Sequence, residues 1–147
     1  MSRRDFIHVA VRAALENDGW KVTDDPLLIS LEFEKFNFQI DLGIENLINA
    51  LKNTEKIAIE VKSFDALSLI SSFHTALGQY LNYKDALEMG NYPHSLHLGV
   101  SELGYERLMN SRFIRMQLIR YEIKIVIVDL VHKKVTKWID MKNIKML

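Results

Sequence analysis

The sequence predicts a single α/β domain, in which helices cover the faces of a central mixed β-sheet. The first observation is that 147 residues, of which 48% are hydrophobic, correspond to one ordinary globular core. The second is that segments with helical periodicity alternate with short apolar runs of strand length. The third is that a long helical segment separates two apolar strands, which is typical of a crossover between parallel strands. We therefore treat residues 1–147 as one domain.

The first half of the chain predicts one helix and one hairpin. A helix is expected over residues 3–18, because Ser2 can cap its start and Gly19 can follow its last turn. Residues 24–26 then mark a turn, and two strand-like runs follow over 27–31 and 36–42, with the hairpin tip near residues 34–35. Residues 45–51 have the pattern of a short amphipathic helix.

The second half of the chain supplies the centre of the predicted sheet. The segment 56–64 reads as a central strand, since its residues alternate in polarity and one of its faces is wholly apolar. The remaining predicted elements are a long helix over 68–89, a buried strand over 96–100, a helix over 112–121 and a terminal hairpin formed by 123–130 and 133–139.

Composition limits the classes of function. The chain contains no cysteine, which excludes disulfides, thiolate metal sites and a cysteine nucleophile. Lysine plus arginine and aspartate plus glutamate both number 19, so the net charge does not indicate a generally basic surface for nucleic acid. The net charge is +6 over residues 112–147 and −6 over 1–111, which fits either a phosphate-facing patch or a solvated basic surface on the terminal elements; on this feature alone we favour the solvated surface. No apolar run reaches the length of a membrane helix and no secretory signal is evident, so we expect a cytoplasmic protein.

Three polar residues form the most informative pattern. Glu60 and Lys62 are two apart on the predicted central strand, so their side chains leave the same face. Asp41 ends the preceding strand and can meet Glu60 if the two strands are neighbours. Two convergent carboxylates can hold Mg²⁺ or Mn²⁺, and a nearby ammonium can stabilise developing negative charge during phosphodiester hydrolysis.

This pattern has an ordinary structural alternative. A Glu-x-Lys on a strand is short and common, and is usually the polar face of a half-exposed strand with a weak ion pair. Gln79 and Tyr83, four apart on the long helix, can lie over the carboxylates and bind a phosphate. They can equally be a solvated residue and an aromatic at the edge of the core.

Several segments resemble the XisH family, the fdxN element excision controlling factors of cyanobacteria. The resemblance is carried by Asp18-Gly19-Trp20, Asp41-Leu42-Gly43, the strand from Lys56 to Phe64, and Ala76-Leu77-Gly78-Gln79. It implies a restriction-endonuclease-like three-layer fold of the PD-(D/E)xK superfamily. It also implies a role in programmed DNA excision during heterocyst development, and an XisI-like companion protein as partner.

The same resemblance implies roles for individual residues. Asp41 matches the metal-binding aspartate of the superfamily, Glu60 and Lys62 match its Glu-x-Lys, and Gln79 and Tyr83 match a Gln-x-x-x-Tyr motif of exonuclease-like branches. The expected site therefore has Asp41, Glu60 and Lys62 as catalytic residues, with Mg²⁺ or Mn²⁺ held by the two carboxylates.

Two further acidic residues are additional candidates, and one position departs from the superfamily pattern. Glu16, on the first helix, could match an extra acidic residue that some members use, and Glu45 could supply another carboxylate or cap the short helix. Ile40 stands where the superfamily motif has proline, a change that does not touch the metal ligands.

Two functions follow as hypotheses. The first is a metal-dependent DNA nuclease, or nuclease-like protein, that acts in DNA rearrangement. The second is a non-catalytic regulatory subunit that binds the XisI-like protein or a site-specific recombinase through the same fold. We also expect a homodimer, because nuclease-like domains of this size often pair to reach both strands.

Overall fold

The computed structural model describes residues 1–47 and 54–144. Four helices and eight strands lie in these ranges, together with a 3₁₀ turn at Met141–Asn143. In chain order they are α1 (Arg3–Asn17), β1 (Lys21–Asp24), β2 (Leu27–Ser30), β3 (Asn37–Ile40), β4 (Leu42–Leu47), β5 (Thr54–Val61), α2 (Leu69–Met89), β6 (Ser95–Ser101), α3 (Glu102–Met109), α4 (Arg112–Arg120), β7 (Lys124–Asp129) and β8 (Lys134–Asp140).

Six strands form one mixed sheet in the order β1-β4-β5-β6-β7-β8, and β2 pairs with β3 in a separate hairpin. Strand β5 runs parallel to β6, and β6 runs parallel to β7. The neighbours at both ends of the sheet are antiparallel. Because α2 connects β5 to the parallel strand β6, the predicted crossover is confirmed.

Two apolar cores lie on opposite faces of the sheet. Leu15 of α1 packs with Ile57 and Ile59 of β5 on one face. Phe73 and the other buried residues of α2 pack with Ala58 of β5 on the other face, together with α3, α4 and the β2–β3 hairpin. This alternation along β5 is what its period-two pattern predicted. The protein is therefore a three-layer α/β fold, as expected.

Serine caps define the starts of the helices. Ser2 accepts from the N–H of Asp5 at α1, and the Ser68 side chain accepts from the N–H of Ser71 at α2. Ser101 and Ser111 cap α3 and α4 in the same way. The prediction omitted α3, although its serine cap and acidic first turn are helix-start signals.

The region around β1 and β4 differs from the prediction. β1 was not predicted, because four residues that alternate between exposed and half-buried give a weak pattern. Residues 45–51 were predicted as a short helix, and this is wrong for 45–47, which belong to β4; residues 48–51 lie outside the described part. Pairing with β1 on one side and β5 on the other outweighs the local helical spacing.

The predicted strand 36–42 is split between the two sheets. β3 ends at Ile40, β4 starts at Leu42, and Asp41 lies at the junction where the chain passes from the hairpin to the large sheet. The predicted pairing of the hairpin is confirmed, with Leu27 opposite Ile40.

Within residues 1–47 and 54–144, none of the helices combines the length and the hydropathy that crossing a membrane requires.

Candidate functional site

Asp41 is held against the end of β5 by backbone hydrogen bonds. Leu42 lies opposite Ile59 in the β4–β5 register, which places Asp41 beside Glu60. Asp41 Oδ2 accepts a 2.8 Å hydrogen bond from the N–H of Val61. The N–H of Asp41 in turn donates to Glu60 Oε1 at 3.3 Å. The two carboxylates thus converge at the carboxyl end of β5.

Glu60 is a buried carboxylate with a charged neighbour on each side. It is only 4% exposed, and Lys62 Nζ lies 3.4 Å from its Oε2. Burial raises the pKa of Glu60 to about 7, and the negative charge of Asp41 adds to this effect, whereas the Lys62 ammonium opposes it. Near neutral pH, Glu60 therefore exchanges between a neutral acid and a carboxylate that can bind a cation.

The long helix α2 supplies two more groups to the same place. Gln79 and Tyr83 line a cleft of about 780 Å³ together with Asp41, Glu60 and Lys62. Gln79 Oε1 is buried and has no hydrogen-bond partner in the described part of the chain. Burial raises the pKa of the Tyr83 hydroxyl, as do the nearby charges of Glu60 and Asp41. The structure thus brings all five principal candidates to one cleft.

Further residues that line the cleft were not predicted from the sequence. They include Arg3 and Arg4 at the start of α1, and Ser63 and Asp65 after β5. Arg3 Nε donates to Asp65 Oδ2 at 2.9 Å, and Ser63 Oγ donates to Asp65 Oδ1 at 2.7 Å. The adjacent arginines at the start of α1 are visible in the sequence, but only the tertiary structure shows that they line the same cleft as the carboxylates.

The two additional acidic candidates lie elsewhere. Glu16 is exposed on α1, with its Oε1 3.6 Å from the Nε of Arg12, and it is not among the residues that line the cleft. Glu45 lies opposite Lys56 in β4, four residues beyond Asp41, or about 13 Å along an extended strand. Glu45 also does not cap a helix, since it belongs to a strand.

The donor set of the cleft suits a hard divalent cation. Two carboxylates and the buried amide oxygen of Gln79 are the kind of oxygen donors that Mg²⁺ and Mn²⁺ accept. In the described ranges, no group of three or more histidine, aspartate or glutamate side chains could hold a metal ion. The cleft thus offers the carboxylates of Asp41 and Glu60, and any further ligands would come from the amide, the backbone, water or a substrate phosphate.

Comparison with known proteins identifies similar chains. A family model described as XisH protein matches residues 1–136. The crystal structure of an XisH family protein from Nostoc punctiforme PCC 73102 is 36% identical, with a TM-score of 0.81, and the match covers 92% of this chain and 100% of that one. A fdxN element excision controlling factor protein from Anabaena variabilis is also 36% identical, with a TM-score of 0.82 and coverage of 93% and 100%. None of the curated proteins compared with the chain matches it.

Proposed function

The chain belongs to the XisH family, and we propose that it is a divalent-metal-dependent DNA nuclease that acts in programmed DNA excision. The observation that carries this proposal is the convergence of Asp41 and Glu60 at the end of β5, with Lys62 on the same strand face. Further support comes from the resemblance to the restriction-endonuclease-like superfamily, to whose motif these three residues correspond.

Asp41 and Glu60 are the residues that would hold Mg²⁺ or Mn²⁺, which when bound supplies Lewis-acid chemistry for phosphodiester hydrolysis. Asp41 can accept from the N–H of Val61 through Oδ2 and still present its second oxygen to a ligand. Glu60 must be ionised to bind a cation, so its pKa of about 7 makes the site respond to pH in the neutral range.

The remaining residues of the cleft would act on the substrate phosphate. The Lys62 ammonium lies next to Glu60, where it can stabilise the negative charge that develops on the phosphate oxygens. Gln79 and Tyr83 can donate from their amide and hydroxyl to the same phosphate and fix its position. None of these roles requires a histidine or a serine nucleophile.

The biological setting is inferred from the relatives. The protein of Anabaena variabilis is named a fdxN element excision controlling factor. By that relation we propose that this chain acts on DNA in the cytoplasm during excision of an element, in heterocyst development, together with an XisI-like protein. A homodimer would bring two equivalent sites to the two DNA strands.

A cleavage assay tests the proposal. Purified protein is incubated with linear, nicked and branched DNA, with Mg²⁺, with Mn²⁺ or with EDTA. We expect cleavage that depends on the metal and is abolished in Glu60→Ala, while Glu106→Ala, at an exposed position of α3, retains it. Equal activity of wild type and Glu60→Ala at matched purity would refute the assignment.

A second function is favoured by one observation. In the described residues the cleft has two paired carboxylates, and the Lys62 ammonium already lies beside one of them, so the polar groups are partly satisfied without a cation. Such a site suits a regulatory subunit that binds an XisI-like protein or a recombinase. Calorimetric titration with Mn²⁺ separates the two functions, because a regulator with no metal site gives no heat, with or without DNA.

A further inference from the structure

We propose that the β2–β3 hairpin is a stacking surface for unpaired bases, so that the cleft takes DNA that is single-stranded next to the bond to be cut. This inference rests on the proposed function, because it specifies the form of the substrate. It is carried by the arrangement of aromatic side chains between the hairpin and the carboxylates.

A row of three aromatic rings runs from the hairpin into the cleft. The rings of Phe36 and Phe38 meet edge-on with their centroids 5.4 Å apart, and Phe38 meets Tyr83 edge-on at 6.0 Å. Phe38 and Tyr83 both line the cleft that contains Glu60. Phe36, at the outer end, is 53% exposed. If a DNA strand binds with one of its phosphates near Glu60, the neighbouring bases of that strand would lie along this row of rings.

The loop of the same hairpin presents another aromatic side chain to solvent. Phe33 is 94% exposed and has a φ of 69°, a left-handed conformation that bulky residues rarely adopt. When a large apolar side chain stays in water, the protein forgoes about 2 kcal/mol or more of the free energy that burial of this side chain would contribute. Exposure combined with an unfavourable backbone conformation is more typical of a ligand-binding loop than of a loop with only a structural role.

The charges of the cleft favour a single strand over a duplex. Proteins that hold a duplex depend on several lysine or arginine contacts to phosphates. In this cleft Arg3 is paired with Asp65 and Lys62 with Glu60, so two of its cations are already matched by carboxylates. A single strand also needs cations for its phosphates, but stacking of its unpaired bases on aromatic side chains adds affinity that a duplex cannot gain, so it depends less on unmatched positive charge.

The polar face of the hairpin can contribute hydrogen bonds. Asn37 and Gln39 alternate with Phe38 along β3, and both line the cleft. Amide side chains can donate to and accept from the edges of bases that are no longer paired. The hairpin thus contributes both aromatic and amide side chains to the lining of the cleft, which is the composition expected of a site that contacts bases.

Fluorescence anisotropy in EDTA tests the proposal without any requirement for cleavage. The two fluorescently labelled probes are an oligothymidylate of 12 nucleotides and a duplex of 20 base pairs. We expect Phe36→Ala to weaken oligothymidylate binding by about 10-fold, as for the loss of one base–aromatic stack, and Phe36→Trp to retain it. Phe113→Ala is the matched control, because Phe113 on α4 is also 53% exposed but does not line the cleft.

The outcomes separate this inference from the proposed nuclease activity. Unchanged oligothymidylate affinity in Phe36→Ala, an equal loss for duplex and single strand, or no binding of oligothymidylate by wild type would each overturn the stacking role. Loss of a protein partner in Phe36→Ala, with DNA binding intact, would overturn it in favour of a protein interface. The binding test contains no metal and measures no cleavage, so a failure of the nuclease assay leaves it unaffected.

Discussion

Replacing Glu60 by glutamine is expected to make the protein more stable at alkaline pH. The folded-state pKa of Glu60 is about 7 and its ordinary value is 4.5. For a carboxyl whose pKa is raised by folding, the neutral form is the one that the folded state favours, so stability falls as pH rises through this interval. Between pH 5.5 and pH 8 this one group accounts for a loss of about 2 kcal/mol in the free energy of unfolding. Glu60→Gln keeps the shape of the side chain and removes the ionisation.

Urea denaturation followed by circular dichroism at the two pH values measures the effect. Glu106→Gln, which removes an exposed carboxylate on α3, serves as the control and should follow wild type. We expect wild type to lose about 2 kcal/mol more than Glu60→Gln between pH 5.5 and pH 8. Equal losses in the two proteins would show that Glu60 is ionised without penalty and that the reasoning from its burial is wrong.

Two further predictions concern Lys62 and Tyr80. Lys62→Met removes the positive charge that opposes the raised pKa of Glu60, so the pKa of Glu60 should move above 7. A carboxyl ¹³C NMR titration measures this pKa. An unchanged or lower value would contradict the role of Lys62. Tyr80→Phe removes a buried hydroxyl that donates to the carbonyl of Leu96 and accepts from the N–H of Lys124, both at 3.1 Å. Its loss should reduce the free energy of unfolding by about 1–3 kcal/mol, and wild-type stability in urea would contradict this.

The region around Asp41 shows where reasoning from the sequence was sufficient and where it failed. The pattern of β5 predicted correctly that Glu60 and Lys62 share a face opposite an apolar one, because alternation along a strand is a local property. The pattern of 36–42 indicated one strand. The chain instead changes sheets at Asp41, a break that depends on pairing partners distant in sequence.

The short β4 illustrates the same limit. The spacing of apolar residues after Gly43 fits a helical turn as well as a strand, and the local pattern does not distinguish them. The segment forms a strand because it pairs through hydrogen bonds with β1 on one side and β5 on the other. As a result, Glu45 lies away from the cleft. The candidate role of Glu45 depended on the secondary structure of this segment.

The sequence by itself determined the α/β class, the long helix between parallel strands, and the residues whose chemistry suits a cation and a phosphate. These depend on periodicity and residue type, which are local. Tertiary structure alone decided that Asp41 reaches the end of β5, that Arg3 and Arg4 line the same cleft, and that the aromatic row from Phe36 leads into this cleft. Contacts between elements far apart in the chain depend on how the whole core packs, and no short stretch of sequence encodes that packing.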